Sequence, residues 1–184
     1  MIRLILPTAR LRESFLESLF EFESPAARHG YGTRSTSDEQ LQDPSGFADW
    51  LAQREAYADP TTQMPEGLVH DTVFWIVDDT APDRVLGSLS LRHELNEALT
   101  MVGGHIGYGV RPSARQRGVA TQALRLALDE AKSLGLQRVL LTCDEDNPAS
   151  ARTIERCGGV RDEAPDGIRR YWIELSSPLS RGRR

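Results

Sequence analysis

Residues 111–121 place positive charge and a glycine at the start of a helical pattern, an arrangement that can bind an anion. The first N–H groups of a helix have no partner within the helix, and the helix dipole is positive at this end. A pyrophosphate placed there would be held by backbone amides, with Arg111, Arg115 and Arg117 adding positive charge. Gly118 would let the phosphate oxygens approach the backbone closely, because glycine has no side chain. The sequence therefore predicts an anion site at this turn.

The same stretch, read as Arg115-x-x-Gly118-x-Ala120, resembles the acetyl-coenzyme A binding signature of the GNAT acetyltransferases, Arg/Gln-x-x-Gly-x-Gly/Ala. It is not a P-loop, since no Gly-Lys-Ser/Thr follows, and the Gly-x-Gly-x-x-Gly of dinucleotide-binding proteins is missing. Over residues 73–175 the order of strands and helices also matches the family, and the resemblance implies acetyl-coenzyme A as the co-substrate. The cofactor-binding positions that it implies are Val110, Arg111, Arg115, Gln116, Arg117, Gly118, Val119, Ala120, Thr121 and Asn147.

The predicted fourth strand contains two alternating glycines, Gly107 and Gly109. Glycine within a strand is typical of a bulge or of close backbone approach. In GNAT proteins the fourth and fifth strands splay apart and the pantetheine arm of the cofactor lies in the gap. By that resemblance, backbone groups near Val110 would bond the arm as a further strand would. In the alternative interpretation, the glycines relieve crowding beneath an aromatic residue such as Trp75.

The expected reaction is attack of a neutral primary amine on an acetyl thioester, and a base must remove the proton that such amines carry at neutral pH. His105 lies ten residues before Arg115, where many GNAT proteins place a Glu or a His, so the resemblance makes it the candidate base. The alternative is a strand histidine satisfied by cross-strand hydrogen bonds. His93 and Glu94 are expected on the acceptor side, and a turn centred near Leu99 would put His93 opposite His105. Two histidines without a third ligand do not predict a metal site.

A proton donor for the departing thiolate is harder to assign. Much of the family has a Tyr seven residues after the Asn of the following helix, but seven residues after Asn147 this chain has Ile154. Three replacements are conceivable: Ser150, Cys143 and Tyr171, of which Tyr171 is the candidate catalytic residue that we retain. Each also has a structural interpretation, as a cap or as part of the core, and a thiol can leave with help from water.

Hydrophobic periodicity indicates one α/β (α+β) domain over residues 1–184, with a mixed, mostly antiparallel twisted sheet and helices on both faces. Residues 73–175 form its best-supported core, residues 1–66 supply the N-terminal strand, helices and substrate-side loops, and residues 176–184 form a basic tail. The predicted strands are Ile2–Leu6, Val73–Val77, Val85–His93, His105–Arg111, Arg138–Cys143 and Ile168–Leu175. The predicted helices are Arg10–Phe22, Phe47–Tyr57, Val119–Leu134 and one from Asn147 to Gly158, whereas Ser24–Gly46, Asp59–Gly67 and Leu95–Val102 are predicted to be loops or turns.

Composition narrows the functional classes. A chain of 184 residues with 39% hydrophobic and 27% charged residues is typical of one globular domain. The net charge of −5 argues against nucleic acid as the main partner, and no apolar run is long enough to predict a membrane span. Two cysteines and the absence of a secretory pattern favour a cytoplasmic location. The family resemblance makes a homodimer possible.

Three functions fit these features. The first is acetylation of a small-molecule amine, the second is acetylation of a peptide or protein, and the third is a non-catalytic sensor or scaffold that binds acetyl-coenzyme A. The long loops suit a small acceptor better than an open peptide groove. Acidic loop residues could supply a pocket for a cationic acceptor, although solvated surface charge explains them equally well: Asp38, Glu39, Asp43, Glu66, Asp71 and Glu94.

Overall fold

The computed structural model describes residues 1–175, and the basic tail Arg181–Arg184 lies outside the described residues. Within residues 1–175, seven strands form two antiparallel sheets. The first sheet has the order β1 (Ile2–Ile5), β2 (Asp71–Asp78), β3 (Gly87–Arg92) and β4 (Ile106–Val110). The second has the order β5 (Arg138–Asp144), β7 (Ile168–Glu174) and β6 (Val160–Asp162). The helices are α1 (Arg12–Phe20), α2 (Asp38–Gln42), α3 (Pro44–Ala58), α4 (Glu97–Met101), α5 (Val119–Ser133) and α6 (Pro148–Arg156).

Two hydrophobic cores cover opposite faces of the sheets, because successive side chains of a strand point to opposite sides. On one face, Trp75 of β2 packs against Phe15 of α1 and Trp50 of α3, and the Phe15 and Trp75 rings stack with centroids 4.7 Å apart. On the other face, α5 and α6 contribute Leu124 and Ile154 to a core that includes residues of both sheets. None of the helices in the described part of the chain is long and apolar enough to cross a membrane.

The elements with the clearest local patterns confirm their predictions. Helix α5 buries the face predicted from its periodicity, including Ala123 and Ala127, and ends before Gly135, whose φ is 85°. At α6 the Asn147 side chain accepts a hydrogen bond from the Ser150 N–H at 3.0 Å, and Pro148 occupies the first turn. Both helices thus begin and end where their capping residues indicated.

Two segments that were predicted to be loops contain helices, which are too short to be recognised from the sequence pattern. The segment Ser24–Gly46 was predicted to be loop, but it includes α2, whose N-terminus has a capping box between Ser37 and Gln40. The predicted turn Leu95–Val102 includes α4, capped by the Asn96 side chain. Each helix has five residues, too short to show a helical period. Strand β6 was missed for a similar reason, since its three residues are all exposed.

A buried ion pair fixes the turn that connects β4 to α5. Arg111, only 4% exposed, donates from Nε to Glu21 Oε1 at 2.7 Å and from Nη1 to the Val85 carbonyl at 3.1 Å. The Ser113 N–H donates to Glu21 Oε2 at 2.9 Å. Burial alone would raise the pKa of Glu21, but the hydrogen bonds from Arg111 and Ser113 outweigh it and lower that pKa to about 2. The end of α1 therefore anchors the start of the turn.

Removing this carboxylate should destabilise the fold in a pH-dependent way. We expect Glu21→Gln to lower the free energy of unfolding at pH 7 by roughly 1–3 kcal/mol, because Arg111 loses its charged acceptor. Since the folded pKa of Glu21 lies below its unfolded value, the stabilisation is present above about pH 4.5 and is lost as the pH falls toward 2. Urea unfolding at a series of pH values measures both effects.

The matched control is Glu17→Gln, because the Glu17 carboxylate lies 3.9 Å from Arg111 Nη2 but its side chain is 69% exposed. An exposed pair contributes at most about 1 kcal/mol, so this variant should resemble the parent protein. Equal losses in the two variants, or a loss in Glu21→Gln that persists at pH 2, would contradict the assignment.

Candidate active site

The two sheets meet at His105, immediately before β4. Its N–H donates to the Leu140 carbonyl of β5 at 2.7 Å, whereas its carbonyl accepts from the Arg92 N–H of β3 at 2.7 Å. Its ring Nδ1 accepts from the Leu140 N–H at 2.9 Å. Next to it, Gly104 and Leu141 form an isolated β-bridge, and a Cβ on Gly104 would lie 2.2 Å from the Leu140 carbonyl oxygen. The start of β4 is thus held tightly against β5.

Beyond this point β4 stays paired with β3 only. In an antiparallel pair, every second residue of a strand forms backbone hydrogen bonds with the neighbouring strand. The Arg92 N–H bonds the His105 carbonyl and the Arg111 N–H bonds the Leu86 carbonyl, so the residues of β4 that bond β3 are the odd-numbered ones. The N–H and C=O groups of Ile106, Tyr108 and Val110 therefore point away from β3, toward β5. Within residues 1–175 no ladder joins β4 to β5. A slot lined by backbone donors and acceptors results, as expected for splayed strands.

The turn before α5 presents unpaired amides in the way the sequence predicted. Gln116 and Gly118 adopt left-handed φ values of 61° and 74°, and no described residue accepts a hydrogen bond from the N–H groups of residues 116–121. A Cβ built on Gly118 meets only the distant end of the Gln122 side chain, at 3.8 Å. The free amides and the open space in front of Gly118 fit a pyrophosphate.

The three arginines near this turn differ in their contacts. Arg117 is exposed and forms no ion pair within the described residues, so it is free to contact a phosphate. Arg115 donates from Nε to the Val110 carbonyl at 3.0 Å and lies over the Phe22 ring. Arg111 is committed to Glu21, and we do not retain it as a phosphate ligand. Of the remaining predicted positions, Val119 is buried, whereas Ala120 and Thr121 are partly exposed on the first turn of α5.

A cavity of about 430 Å³ adjoins the slot. Its wall includes residues 106–108 of β4, residues 142–144 of β5 and, from α6, Asn147 and Ser150. Residues of segments 28–35 and 67–69 complete the lining. Asn147 therefore borders the cavity as well as capping α6. Slot and cavity together provide room for an extended ligand and a second molecule that meets its end.

Gly109 of β4 and Gly30 of the segment that packs on it allow the two backbones to approach closely, whereas a Cβ on Gly107 would meet nothing closer than 3.6 Å. A Cβ on Gly109 would lie 2.8 Å from the His29 carbonyl oxygen, and a Cβ on Gly30 would lie 2.3 Å from the Gly107 carbonyl oxygen. Close backbone approach was the correct interpretation, but the approaching backbone is residues 29–30 on the α1 and α3 face of the sheet. A Cβ on Gly109 would also lie 3.2 Å from the Tyr31 ring, so crowding beside an aromatic residue contributes as well, although that residue is Tyr31 and not Trp75.

The register corrects the predicted histidine pair. Arg92, not His93, pairs with His105, because β3 runs in register to Leu91 opposite Ile106. His93 stacks on His70 instead, with ring centroids 6.2 Å apart, and its Nε2 bonds Thr72 Oγ1 at 2.8 Å. Neither His93 nor the exposed Glu94 lines the cavity. A direct proton path between the two histidines is therefore wrong.

His105 itself is only 7% exposed. Burial, with a smaller effect of Arg92, lowers its pKa to about 4. Since Nδ1 accepts from the Leu140 N–H, the neutral ring carries its proton on Nε2, which leaves no free ring nitrogen to accept another. These contacts favour the interpretation of His105 as a strand histidine satisfied by cross-strand bonds.

The candidate proton donors differ in whether they line the cavity. Tyr171 is fully buried, and its hydroxyl donates to Glu155 Oε1 at 3.0 Å, away from the cavity lining. Tyr108 of β4 instead lines the cavity and reaches across to α6, where its hydroxyl lies 2.8 Å from Ser150 Oγ. Burial raises the pKa of Tyr108 to about 12, against the lowering effect of Ser150, so it is protonated at neutral pH. Cys143 also borders the cavity, and burial raises the pKa of its thiol.

Sequence reasoning missed two cavity residues, His29 and Tyr108. His29 is the one histidine of four in the chain that lines the cavity, but it lies in a segment without periodicity. Tyr108 lies between the two alternating glycines of β4, and that pattern drew attention to the backbone instead of the side chain between them. Only the strand phase, which directs Tyr108 toward α6, could have indicated it.

Comparison with known proteins agrees with this geometry. The sequence profile described as "Acetyltransferase (GNAT) domain" matches residues 3–160. Among curated protein sequences, none matches this chain. A similar solved structure is the microcin C7 self immunity acetyltransferase MccE in complex with acetyl-CoA and AMP, with a TM-score of 0.63 and 17% identity over 94% of this chain and 92% of that chain.

Two further structures have the same fold. RimJ from Mycobacterium smegmatis in complex with CoA-disulfide has a TM-score of 0.68 and 17% identity, covering 94% of this chain and 81% of that chain. The spermidine/spermine N-acetyltransferase SpeG from Vibrio cholerae, in mutant forms, has a TM-score of 0.62 and 16% identity, covering 95% and 94%. At these identities the similarity establishes the fold alone.

The free amides before α5 give a direct test of cofactor binding. We expect Gly118→Ala to raise the Kd for acetyl-coenzyme A roughly tenfold or more, because the added methyl group enters the space where phosphate oxygens would meet the amides. Isothermal titration calorimetry measures the change. Gly135→Ala is the matched control, since Gly135 has a similar φ of 85° and open surroundings at the opposite end of α5. Unchanged affinity in Gly118→Ala, or equal losses in both variants, would remove the phosphate site from this turn.

Proposed function

This chain belongs to the GNAT acetyltransferase family, and we propose that it transfers the acetyl group of acetyl-coenzyme A to the primary amine of a small molecule. The observation that carries the proposal is the cavity of about 430 Å³ beside the slot between β4 and β5, a volume within the range of small-molecule sites. Segments 28–35 and 67–69 add to its walls, so the site is concave, whereas an extended groove would suit a peptide. We keep a cytoplasmic location and a homodimer as predictions.

The backbone of this chain would hold the cofactor at two places. The free N–H groups of residues 116–121 would bind the pyrophosphate, with Arg117 alongside. The N–H groups of Tyr108 and Val110 would bond the pantetheine arm and the thioester carbonyl as a neighbouring strand would. When bound, acetyl-coenzyme A supplies an activated acyl group to the acceptor amine bound in the cavity. No covalent intermediate on the protein is needed.

His29 is our candidate for the group that accepts the amine proton. It lines the cavity, its side chain is exposed, and its backbone packs against β4 at Gly109. Imidazole is the side chain best suited to exchange protons near neutral pH. His105 would act as a positioning residue, because its ring and backbone join β5 to the start of β4.

Tyr108 is our candidate for the group that returns a proton to the departing thiolate. It is protonated at neutral pH, and its hydroxyl contacts Ser150 on the helix where the family's usual Tyr would lie. Tyr108 would therefore supply the proton that a Tyr supplies in much of the family, where this chain has Ile154. The presence of Ile154 at that position was the reason for considering a non-catalytic sensor. Tyr171 has no such access and takes no part in this proposal.

The function is tested by following thiol release from acetyl-coenzyme A with amino acids, aminoalkyl phosphates, polyamines and short peptides as acceptors. Turnover with small amines, above the rate without acceptor, is expected. Turnover confined to peptides would overturn the small-molecule assignment. If no acceptor gives thiol release, but calorimetry shows tight binding of acetyl-coenzyme A, the result would favour the non-catalytic sensor.

The two histidine roles predict different kinetic effects. We expect His29→Gln to reduce kcat by roughly 10²–10⁴-fold, with cofactor affinity retained. In His105→Gln the amide oxygen can still accept from the Leu140 N–H, so kcat should stay near the parent value and only stability should fall. If His105→Gln lost kcat to this extent and His29→Gln did not, the two roles would have to be exchanged.

A further inference from the structure

The charged residues that line the cavity are mostly cationic. The lining includes Arg34, Arg54 and Arg92, in addition to Arg28, which forms two hydrogen bonds with Asp38. The carboxylates in the lining are Asp71 and Asp144. Asp144, at the end of β5, is exposed, which leaves Asp71 as the acidic group of the inner wall. This wall is opposite in sign to the acidic pocket that the loop carboxylates suggested.

Asp71 does not neutralise both guanidinium groups near it. Its Oδ2 accepts from Ser90 Oγ at 2.8 Å, and its Oδ1 lies 3.6 Å from Arg54 Nη1. In the β2–β3 register Asp71 lies opposite Arg92, but within residues 1–175 the Asp71 carboxylate forms its ion pair with Arg54 and none with Arg92. Within the described part of the cavity wall, the inner charge is therefore positive.

Both arginines retain donors without a partner. Arg92 donates from Nη1 to the Gly103 and Gly104 carbonyls at 3.3 and 2.9 Å, but no described residue accepts from its Nε or Nη2. Arg54 is 8% exposed, and its Nε is buried without an acceptor in the described chain. Burial lowers the pKa of both groups, and Asp71 raises it. The free Arg92 donors are not among the buried atoms without a partner, so a ligand in the cavity can reach them, and a guanidinium with free donors is complementary to an anion.

The position of Arg92 connects this charge to the reaction. A Cβ built on Gly107 would lie 3.8 Å from both Nη1 and Nη2 of Arg92, so the guanidinium lies over β4 beside the slot. Arg34 of segment 28–35 adds a further cation near Arg92 and lowers its pKa. Arg92 therefore brings a cationic group to the part of the cavity that adjoins β4.

We infer that the acceptor is a small primary amine that also carries an anionic group, a carboxylate or a phosphate, which Arg92 and Arg54 bind with Arg34 at the rim. This inference rests on the proposed function and specifies its substrate class. The anion would take up the unpaired guanidinium donors, and it would hold the amine in the part of the cavity beside β4. Polyamines, which bring only positive charge, are disfavoured by the same wall.

The test compares amines that differ only in the anionic group. Carboxylate pairs are L-amino acids and their amides, and phosphate pairs are aminoalkyl phosphates and the corresponding amino alcohols. We expect kcat/KM for at least one anionic series to exceed its uncharged counterparts roughly tenfold or more, and the series that responds identifies the anion. Spermidine should be a poor acceptor.

Arg92→Gln should abolish this preference, so that the ratio of kcat/KM for the anionic amine to that for its uncharged counterpart falls to about one. Arg10→Gln is the matched control, because Arg10 lies on the surface, pairs with the exposed Asp83 and is absent from the cavity lining. If Arg92→Gln does not fold, Arg34→Gln replaces it, since Arg34 is exposed; a several-fold loss of preference is then expected. Thermal unfolding confirms that each variant is intact.

Calorimetry with the same compounds, added to protein saturated with coenzyme A, separates this inference from the proposed function. Binding of an anionic series that weakens in Arg92→Gln, without turnover, would retain the anion subsite but end the small-molecule acetyltransferase proposal. If no anionic compound binds or reacts better than its uncharged counterpart, or if spermidine is the best acceptor, the anion subsite is wrong.

Discussion

The arrangement of this protein depends on one constraint: β4 pairs with β5 only at its start. The His105 backbone forms hydrogen bonds with Arg92 of β3 and Leu140 of β5, and its ring accepts a further one from the Leu140 N–H. After His105, β4 and β5 belong to different sheets. A strand edge without a partner leaves N–H and C=O groups that need one. Here those groups, on Tyr108 and Val110, open toward a slot, and the turn before α5 continues the row of free amides. Binding capacity thus follows from incomplete sheet pairing.

The two halves of the chain contribute different parts of the site. The C-terminal half supplies the slot, the turn before α5 and α6, whose local geometry is determined by short motifs. The N-terminal half covers the other face of the sheet and provides His29, Arg34 and Arg54 around the acceptor cavity. The Glu21–Arg111 pair links these halves, because it attaches the end of α1 to the turn that enters α5. The position of the turn before α5 therefore depends on both halves of the chain.

Local patterns allowed most of the fold to be predicted, and the turn before α5 has the free amides that its sequence indicated. Helix α5, the Asn147 cap and the Gly118 turn each depend on residues near one another in sequence, and the family resemblance supplied the splayed strands. The acceptor side depends on the register between distant strands, which the sequence does not encode locally. A register shift of one residue decides whether His93 or Arg92 lies opposite His105, and the structure has Arg92 there. Arg54 and His29 reach the cavity only because α3 and the segment after α1 fold over β4. For that reason the sequence suggested an acidic pocket, whereas tertiary packing produced a basic wall.

The most direct test of the central claim is amide hydrogen exchange along β4, followed by nuclear magnetic resonance with and without acetyl-coenzyme A. If the cofactor occupies the place of a missing strand, the amides of Tyr108 and Val110 should exchange rapidly in the free protein and slowly in the complex. The amides of Gly107 and Gly109, which bond β3, should be protected in both states. Protection of Tyr108 and Val110 without cofactor, or exchange at those two amides that the cofactor leaves unchanged, would contradict the account.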